Sequence, residues 1–377
     1  MKSPLNLARS DVRRLKPCIH GGEVWDIANE TGLRLEDVLD YSSSINPLGP
    51  SPRALDAIKT SFGQVPFYPD SDSSVLREAI ARRFGLGKGN VVIGNGSTEP
   101  IYLFAEVFMN AGDRAVIVEP TFGEYERAVR KVGGRVKHVV LGRGFEFDAD
   151  VVKRHLRGAK AVFLCNPNNP TSMLVRRGEL IEVLEAAKSL NVLVFLDEDF
   201  IEFVDEEKQY SLVGEVERFP NLFVLRTFTK FYGLTGLRIG YGVASEEVVE
   251  VLCRAKMPWS VNCFAQAAAL AALADKEHAR RTREVVRVER KFLMRKLSEI
   301  ASFKVYPADA NYIFFDVRKS GFTAAQLKAR MLERGMLIRD CSSFWGLDEF
   351  YVRVAVRTRQ ENKRLVAAFR EVLRSTA

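Results

Sequence analysis

Between residues 90 and about 245, seven short apolar runs alternate with helical stretches, and this alternation narrows the possible folds more than any other feature. The runs are VVIGNG, RAVIVEP, RVKHVVL, AKAVFLCN, VLVFLDED, LFVLRTF and RIGYGVA. Several are continuous blocks of Val, Ile, Leu and Phe, which suit strands covered by helices on both faces. The pieces between them, such as STEPIYLFAEVFMNAGD and GELIEVLEAAKSLN, carry helical spacing and stop near Asn or Gly. The pattern predicts an α/β fold on a mostly parallel, seven-stranded sheet.

The 377 residues suffice for about two domains. Residues 1–45 are irregular, with one short helical piece in HGGEVWDIANETG, and are expected to pack with the smaller domain. Residues 46–260 hold the large domain. A long helical region over about 263–300 opens the remainder, 261–377. There FKVYPADANYIFFDV, TAAQLKARMLERG, MLIRD, YVRVAV and a final helix predict a small α+β domain.

Composition excludes several classes of function. No stretch approaches the roughly 18 consecutive apolar residues of a membrane span. The opening MKSPLNLARSDVRR lacks the apolar core of a secretory signal, so a cytoplasmic location is expected. Cys18, Cys165, Cys253, Cys263 and Cys341 form no CxxC pair, and no His-x-x-x-His pair exists, so neither a disulfide framework nor a metal site is expected. The net charge of +8 is spread along the chain among acids. It fits a solvated surface first and anionic small molecules second, and no nucleic-acid motif accompanies it.

In a sheet of this kind ligands bind beyond the carboxyl ends of the strands. GNGSTE, TFGEY, NPNNPT, DED and TFTK follow five of the runs and bring small, amide, acidic and amine groups to one edge. GNGSTE is not GxGxxG, since Glu99 stands at the last position. GLGKGN lacks the Ser or Thr of a nucleotide-binding loop, so the acidic strand end VLVFLDED has no partner motif of that type. Asp197 ends an apolar run, where a carboxylate is costly unless a cation meets it. It suits a protonated ring nitrogen. Asn169 can donate to a ring oxygen, Phe122 can cover a flat ring, and Lys230 can form a Schiff base. Thr227, Thr229 and Arg238 can hold a phosphate. These parts together describe pyridoxal phosphate.

The order NPNNPT, LDEDF, TFTKFYGLTGLR, YVRVAVR resembles the fold-type-I pyridoxal-phosphate enzymes over nearly the whole chain. It is most similar to the branch shared by histidinol-phosphate aminotransferases and threonine-phosphate decarboxylases. The resemblance implies that Lys230 carries the cofactor, Asp197 pairs with its ring nitrogen, Asn169 bonds its ring oxygen and Phe122 stacks on the ring. It gives the phosphate to Ser97, Thr98, Thr227, Thr229 and Arg238. Tyr68, in FYPDSD, matches a tyrosine that reaches the phosphate from a neighbouring subunit, which implies a homodimer. Arg353 matches the arginine that grips a substrate carboxylate, and Arg339 a second substrate-binding arginine.

Three stretches resemble the decarboxylases: KPCIHGGEVWDIANETG, YSSSINPLGPSP and MPWSVNCFAQAA. Phe200 stands where many of the related aminotransferases have tyrosine, which leaves Asn169 as the evident donor to the ring oxygen. The implied substrate is a small amino-acid phosphate, L-threonine O-3-phosphate. Its decarboxylation gives carbon dioxide and (R)-1-amino-2-propanol O-2-phosphate for cobalamin biosynthesis. Arg339, Arg357, His20 and Ser43 are candidates for the substrate phosphate or its surroundings, and Asn46 for the pocket wall. The alternative is histidinol-phosphate aminotransferase with 2-oxoglutarate as acceptor. A cofactor-binding regulator would need an added DNA-binding module, for which the chain leaves no room.

Overall fold

The computed structural model describes residues 4–32 and 34–374. All seven apolar runs form strands of one sheet. Across the sheet they run Val91–Gly94, Gly240–Ala244, Leu222–Thr227, Leu193–Asp197, Ala161–Cys165, Arg114–Glu119 and Arg135–Val140. Gly240–Ala244 is antiparallel to both its neighbours, and the other six point the same way. The carboxyl ends at Gly94, Glu119, Cys165, Asp197 and Thr227 therefore lie along one edge.

Continuous hydrophobicity in the central strands follows from two cores. Val162, Leu164, Val194, Leu196, Leu222 and Val224 enter one. Phe163, Phe195, Phe223 and Leu225, alternating with them, enter the other. In the second core Phe104 and Phe195 lie 5.1 Å apart edge to face, and Phe195 and Phe223 stack at 5.1 Å. Burying each such side chain contributes about 1.5–3 kcal/mol. The same alternation separates the acids of LDED. Glu198 points away from the edge and pairs with fully buried Arg226 at 2.8 Å.

The expected helix over 263–300 is two helices, Cys263–Ala274 and Lys276–Ser298. Asp275 breaks them and caps the second, its carboxylate accepting from the His278 amide at 3.1 Å. Ala265, Ala268, Ala269 and Ala272 of the first helix are buried in the core of the large sheet, so a division at 260 falls before a helix that packs with the large domain. The smaller sheet runs Arg339–Asp340, Tyr351–Ala355, Tyr312–Asp316, Lys304–Val305 and is antiparallel throughout. Its core is separate, with Ile313, Phe315, Val352, Val354 and Phe369 at the centre. Leu39–Asp40 forms a separate two-stranded parallel sheet with Met336–Leu337, and the Ala355 amide donates to the Tyr41 carbonyl at 2.8 Å, which ties the N-terminal segment to the smaller sheet. No helix among the described residues is long and apolar enough to cross a membrane.

Candidate active site

A cavity of about 990 Å³ opens at the carboxyl edge, between the strand ends, the smaller sheet and residues 14–25. Lys230, Asp197, Asn169, Ser97, Thr98, Phe122, Thr229, Arg238, Arg339, Arg353, His20 and Ser43 all line it. Residues far apart in sequence meet here because parallel strands put all their carboxyl ends on one side.

Asp197 is buried at its strand end. Its Oδ2 accepts from the Tyr125 hydroxyl at 2.5 Å and its Oδ1 from the Asp199 amide at 2.8 Å. Burial raises its pKa from the ordinary 3.8 to about 6, against those two hydrogen bonds. A cation beside it, such as a protonated ring nitrogen, stabilises the charged form. Asp199 faces the same cavity; the Ser97 hydroxyl donates to its Oδ2 at 2.8 Å, and its Oδ1 is buried without a hydrogen-bond partner among the described residues. Burial, then the charge of Asp197, pushes its carboxyl well up.

The Lys230 amine is pushed down chiefly by burial, with Arg353 and Arg238 adding to the effect and Asp199 opposing it. A lowered pKa raises the share of neutral, nucleophilic amine. The backbone holds the lysine in place, since the Asn46 amide donates to the Lys230 carbonyl at 3.1 Å. At one end of the cavity Gly96, with φ of +68°, turns the chain into the helix Thr98–Phe108. A Cβ on Gly96 would lie 2.5 Å from Arg238 Nη2, so glycine is what lets this guanidinium close over the helix N-terminus. The N–H groups of a helix N-terminus beside an arginine and the hydroxyls of Ser97, Thr98 and Thr229 are groups that could hold a phosphate. With a carboxylate for a ring nitrogen and an amine for an aldehyde, the donor set fits pyridoxal phosphate.

At the opposite wall Arg353 is buried. One terminal nitrogen bonds Asn169 Oδ1 and the other donates to the Ser42 carbonyl at 2.7 Å. Asn169 thus spends its oxygen on Arg353 and keeps its amide nitrogen to donate. Phe200 is buried with its ring against Tyr312 at 4.9 Å, and offers no hydroxyl. Arg339 donates to the carbonyls of Ile19 at 2.6 Å and His20 at 2.9 Å, and to Ser343 Oγ at 3.1 Å, so it fastens the N-terminal segment over the cavity.

Four expected residues lie outside the cavity lining. Asn46 is buried and donates to the Phe231 carbonyl at 2.8 Å and Thr282 Oγ1 at 3.0 Å, so its side chain joins segments of the scaffold. Arg357 donates to the Asp40 carbonyl at 3.0 Å and pairs with Glu361 at 2.6 Å, which consumes its charge away from the site. Thr227 is fully buried behind Thr229, the two hydroxyls 2.9 Å apart. Tyr68 is 80% exposed and stacks on Trp259 at 4.7 Å.

Sequence reasoning missed Tyr125, Asp199 and Glu124. Tyr125 follows Phe122 by three residues in TFGEYE, and no spacing rule says that it reaches the end of another strand. Asp199 had a signal, because residues 197 and 199 of an extended end share a side. One cluster with metal-ligand chemistry, Glu119, Glu126 and His138, also escaped the search for His pairs. Its members satisfy each other: His138 Nδ1 lies 3.1 Å from Glu119, and the ring stacks on Trp345 at 4.1 Å.

A family model described as aminotransferase class I and II matches residues 36–369. A histidinol-phosphate aminotransferase of Symbiobacterium thermophilum is 39% identical over 98% of this chain and 99% of its own. A protein of Caldanaerobacter subterraneus subsp. tengcongensis, provisionally named threonine-phosphate decarboxylase, is 37% identical over 95% of this chain and 94% of its own. A histidinol-phosphate aminotransferase structure from Sinorhizobium meliloti, in complex with pyridoxal-5'-phosphate, superposes with a TM-score of 0.88 over 98% of both chains at 23% identity, a likeness of fold.

Proposed function

Because the chain belongs to the class I and II aminotransferase family of pyridoxal-phosphate enzymes, we propose that it decarboxylates a small amino-acid phosphate, L-threonine O-3-phosphate. The carrying observation is where the distinguishing segments lie. His20, Gly21 and Gly22 of the HGG stretch, and Ser43, Ser44 and Ile45 of YSSSINPLGP, line the cavity that holds Lys230. Residues that resemble the decarboxylases therefore stand where a substrate is selected.

Lys230 would bear the cofactor, Asp197 would pair with its ring nitrogen, and Ser97, Thr98, Thr229 and Arg238 would hold its phosphate. When bound, pyridoxal phosphate supplies an electron sink for the bond broken at the substrate α carbon. The bond that breaks is the one standing perpendicular to the ring, so groups that fix the substrate's anions choose the reaction. Arg353 would turn the carboxylate, and His20, Ser43 and Arg339 would surround the phosphate. Lys230 would then deliver a proton to the α carbon in place of the departing carbon dioxide.

Transamination of histidinol phosphate is the second reading. More of the related proteins bear that name than the decarboxylase name. Identities of 39% and 37% do not separate the two. Purified enzyme supplied with L-threonine O-phosphate is expected to release carbon dioxide. Supplied with histidinol phosphate and 2-oxoglutarate, it is expected to form no glutamate. Glutamate without carbon dioxide would reverse the assignment.

The reading includes a homodimer. Phe62, Val65, Phe67, Tyr68 and Met257 are exposed in two segments joined by the Tyr68–Trp259 stack. Exposed apolar surface of this kind marks an interface. Sedimentation should give twice the chain mass of 42.4 kDa; a monomer at working concentration would sink this part of the proposal.

A further inference from the structure

Glu124 is buried at the start of the helix Glu124–Lys131, just beyond the residues that cover the cavity floor. Four groups converge on its carboxylate, the Cys18 thiol among them. His20 Nε2 lies 2.9 Å from Oε1, the Tyr102 hydroxyl donates to Oε2 at 2.5 Å, and Arg127 Nη1 lies 3.6 Å from Oε1. Burial pushes this carboxyl up, but hydrogen bonds from His20, Tyr102 and Cys18 outweigh it and hold the group at about 2. Such a carboxylate only accepts, so Nε2 of His20 carries the proton. His20 lines the cavity and its other ring nitrogen, Nδ1, has no hydrogen-bond partner among the described residues; in the imidazolium form Nδ1–H is the donor left for an anion. The imidazole rests against Phe122, ring centres 5.7 Å apart, so it is fixed in tilt as well as in hydrogen bonding.

We propose that Glu124 is a positioning residue: it anchors the N-terminal segment through His20 and aims that imidazole at the phosphate end of the substrate. The role rests on the reading of His20 as a neighbour of the substrate phosphate, and it does not depend on which bond at the α carbon breaks. A buried carboxylate with four donors is a rigid post, and a ring bonded to it at one nitrogen and resting against Phe122 has less freedom to turn. The backbone of this segment is also held by Arg339, which donates to the carbonyls of Ile19 and His20, and by the Gly22 amide, which donates to Ser42 Oγ at 2.8 Å. Those bonds fix the backbone and leave the ring free to turn.

The test uses the cofactor-loaded enzyme and Glu124→Gln, which keeps the side-chain volume and an acceptor for Tyr102. KM is measured for whichever phosphorylated substrate is turned over, and Kd for inorganic phosphate. Both are expected to rise about tenfold, the effect of one charge-assisted hydrogen bond, with kcat falling much less. The His20→Ala and Glu124→Gln changes are then combined. If Glu124 acts through His20, the double variant is no worse than His20→Ala alone. Additive losses, or a fall in kcat with KM and the phosphate Kd unmoved, would overturn the proposal. Glutamate formation instead of carbon dioxide release would overturn the decarboxylase reading and leave this result standing.

Discussion

Replacing Lys230 by alanine should abolish covalent attachment of pyridoxal phosphate and lower turnover by at least about 10⁴-fold, since a nucleophile and a proton carrier are lost together. Among the described residues Lys230 is the amine that the strand ends bring to the cavity, beside carboxylates, hydroxyls, amides and guanidinium groups. Burial, with the charges of Arg353 and Arg238, lowers its proton affinity, which favours the neutral, nucleophilic amine. The cavity also receives Arg14, Lys16, Arg127 and Arg130, but these stand on the N-terminal segment and on the helix Glu124–Lys131. The proposed phosphate-binding groups of Ser97, Thr98 and Arg238 are unchanged in the variant, so pyridoxal phosphate should still bind, without a covalent link. Borohydride reduction of the loaded wild-type enzyme followed by peptide mass analysis should place the cofactor on Lys230, and on no lysine in the variant. A labelled peptide elsewhere, or a variant retaining more than about one hundredth of wild-type turnover, would remove Lys230 from its assigned role.

The fold was legible in the sequence where burial was two-sided. Strands such as Ala161–Cys165 and Leu193–Asp197 send alternate residues into two separate cores, so the sequence has no room for polar interruptions. The break at Asp275 was hidden because the helices on either side continue helical spacing through it, and only the cap to His278 marks it. That Ser97, Asn169, Asp197 and Lys230 meet at one cavity was legible because each lies at or just after the carboxyl end of a strand, where sequence position and spatial position coincide. The substrate half was not. Arg353 and Arg357 both come from RVAVR and have the same chemistry, but one enters the cavity and the other is spent on Asp40 and Glu361. Asn46 likewise has a pocket-like sequence and a scaffold role. Partners supplied by distant elements decide such cases: Tyr125 for Asp197, Ser97 for Asp199, Glu124 for His20.

Arg353→Lys is expected to lower kcat/KM for a substrate carrying an α-carboxylate by about 10²- to 10³-fold, although it keeps the positive charge. The guanidinium is buried beneath the cavity and bridges three parts of the chain: Asn169 from the large sheet, Ser42 from the N-terminal segment and the Tyr312 ring, 5.0 Å away. Its Nε is buried without a partner among the described residues, so the planar group has a donor to spare. A lysine has no fork. It cannot bond Asn169, Ser42 and a carboxylate in one plane, and Asn169 would lose the contact that holds its side-chain oxygen. The loss should fall on kcat as well as on KM, because a carboxylate held at the wrong angle is not perpendicular to the ring when its bond must break. Arg339→Lys should behave differently. Its bonds go to the carbonyls of Ile19 and His20, so it should raise KM for the phosphorylated substrate while leaving L-threonine, which has the carboxylate and lacks the phosphate, nearly unaffected. Measured side by side, the two variants assign the two anions of the substrate. If Arg353→Lys keeps kcat/KM within about threefold of wild type, its bonds to Asn169 and Ser42 are structural and another group grips the carboxylate.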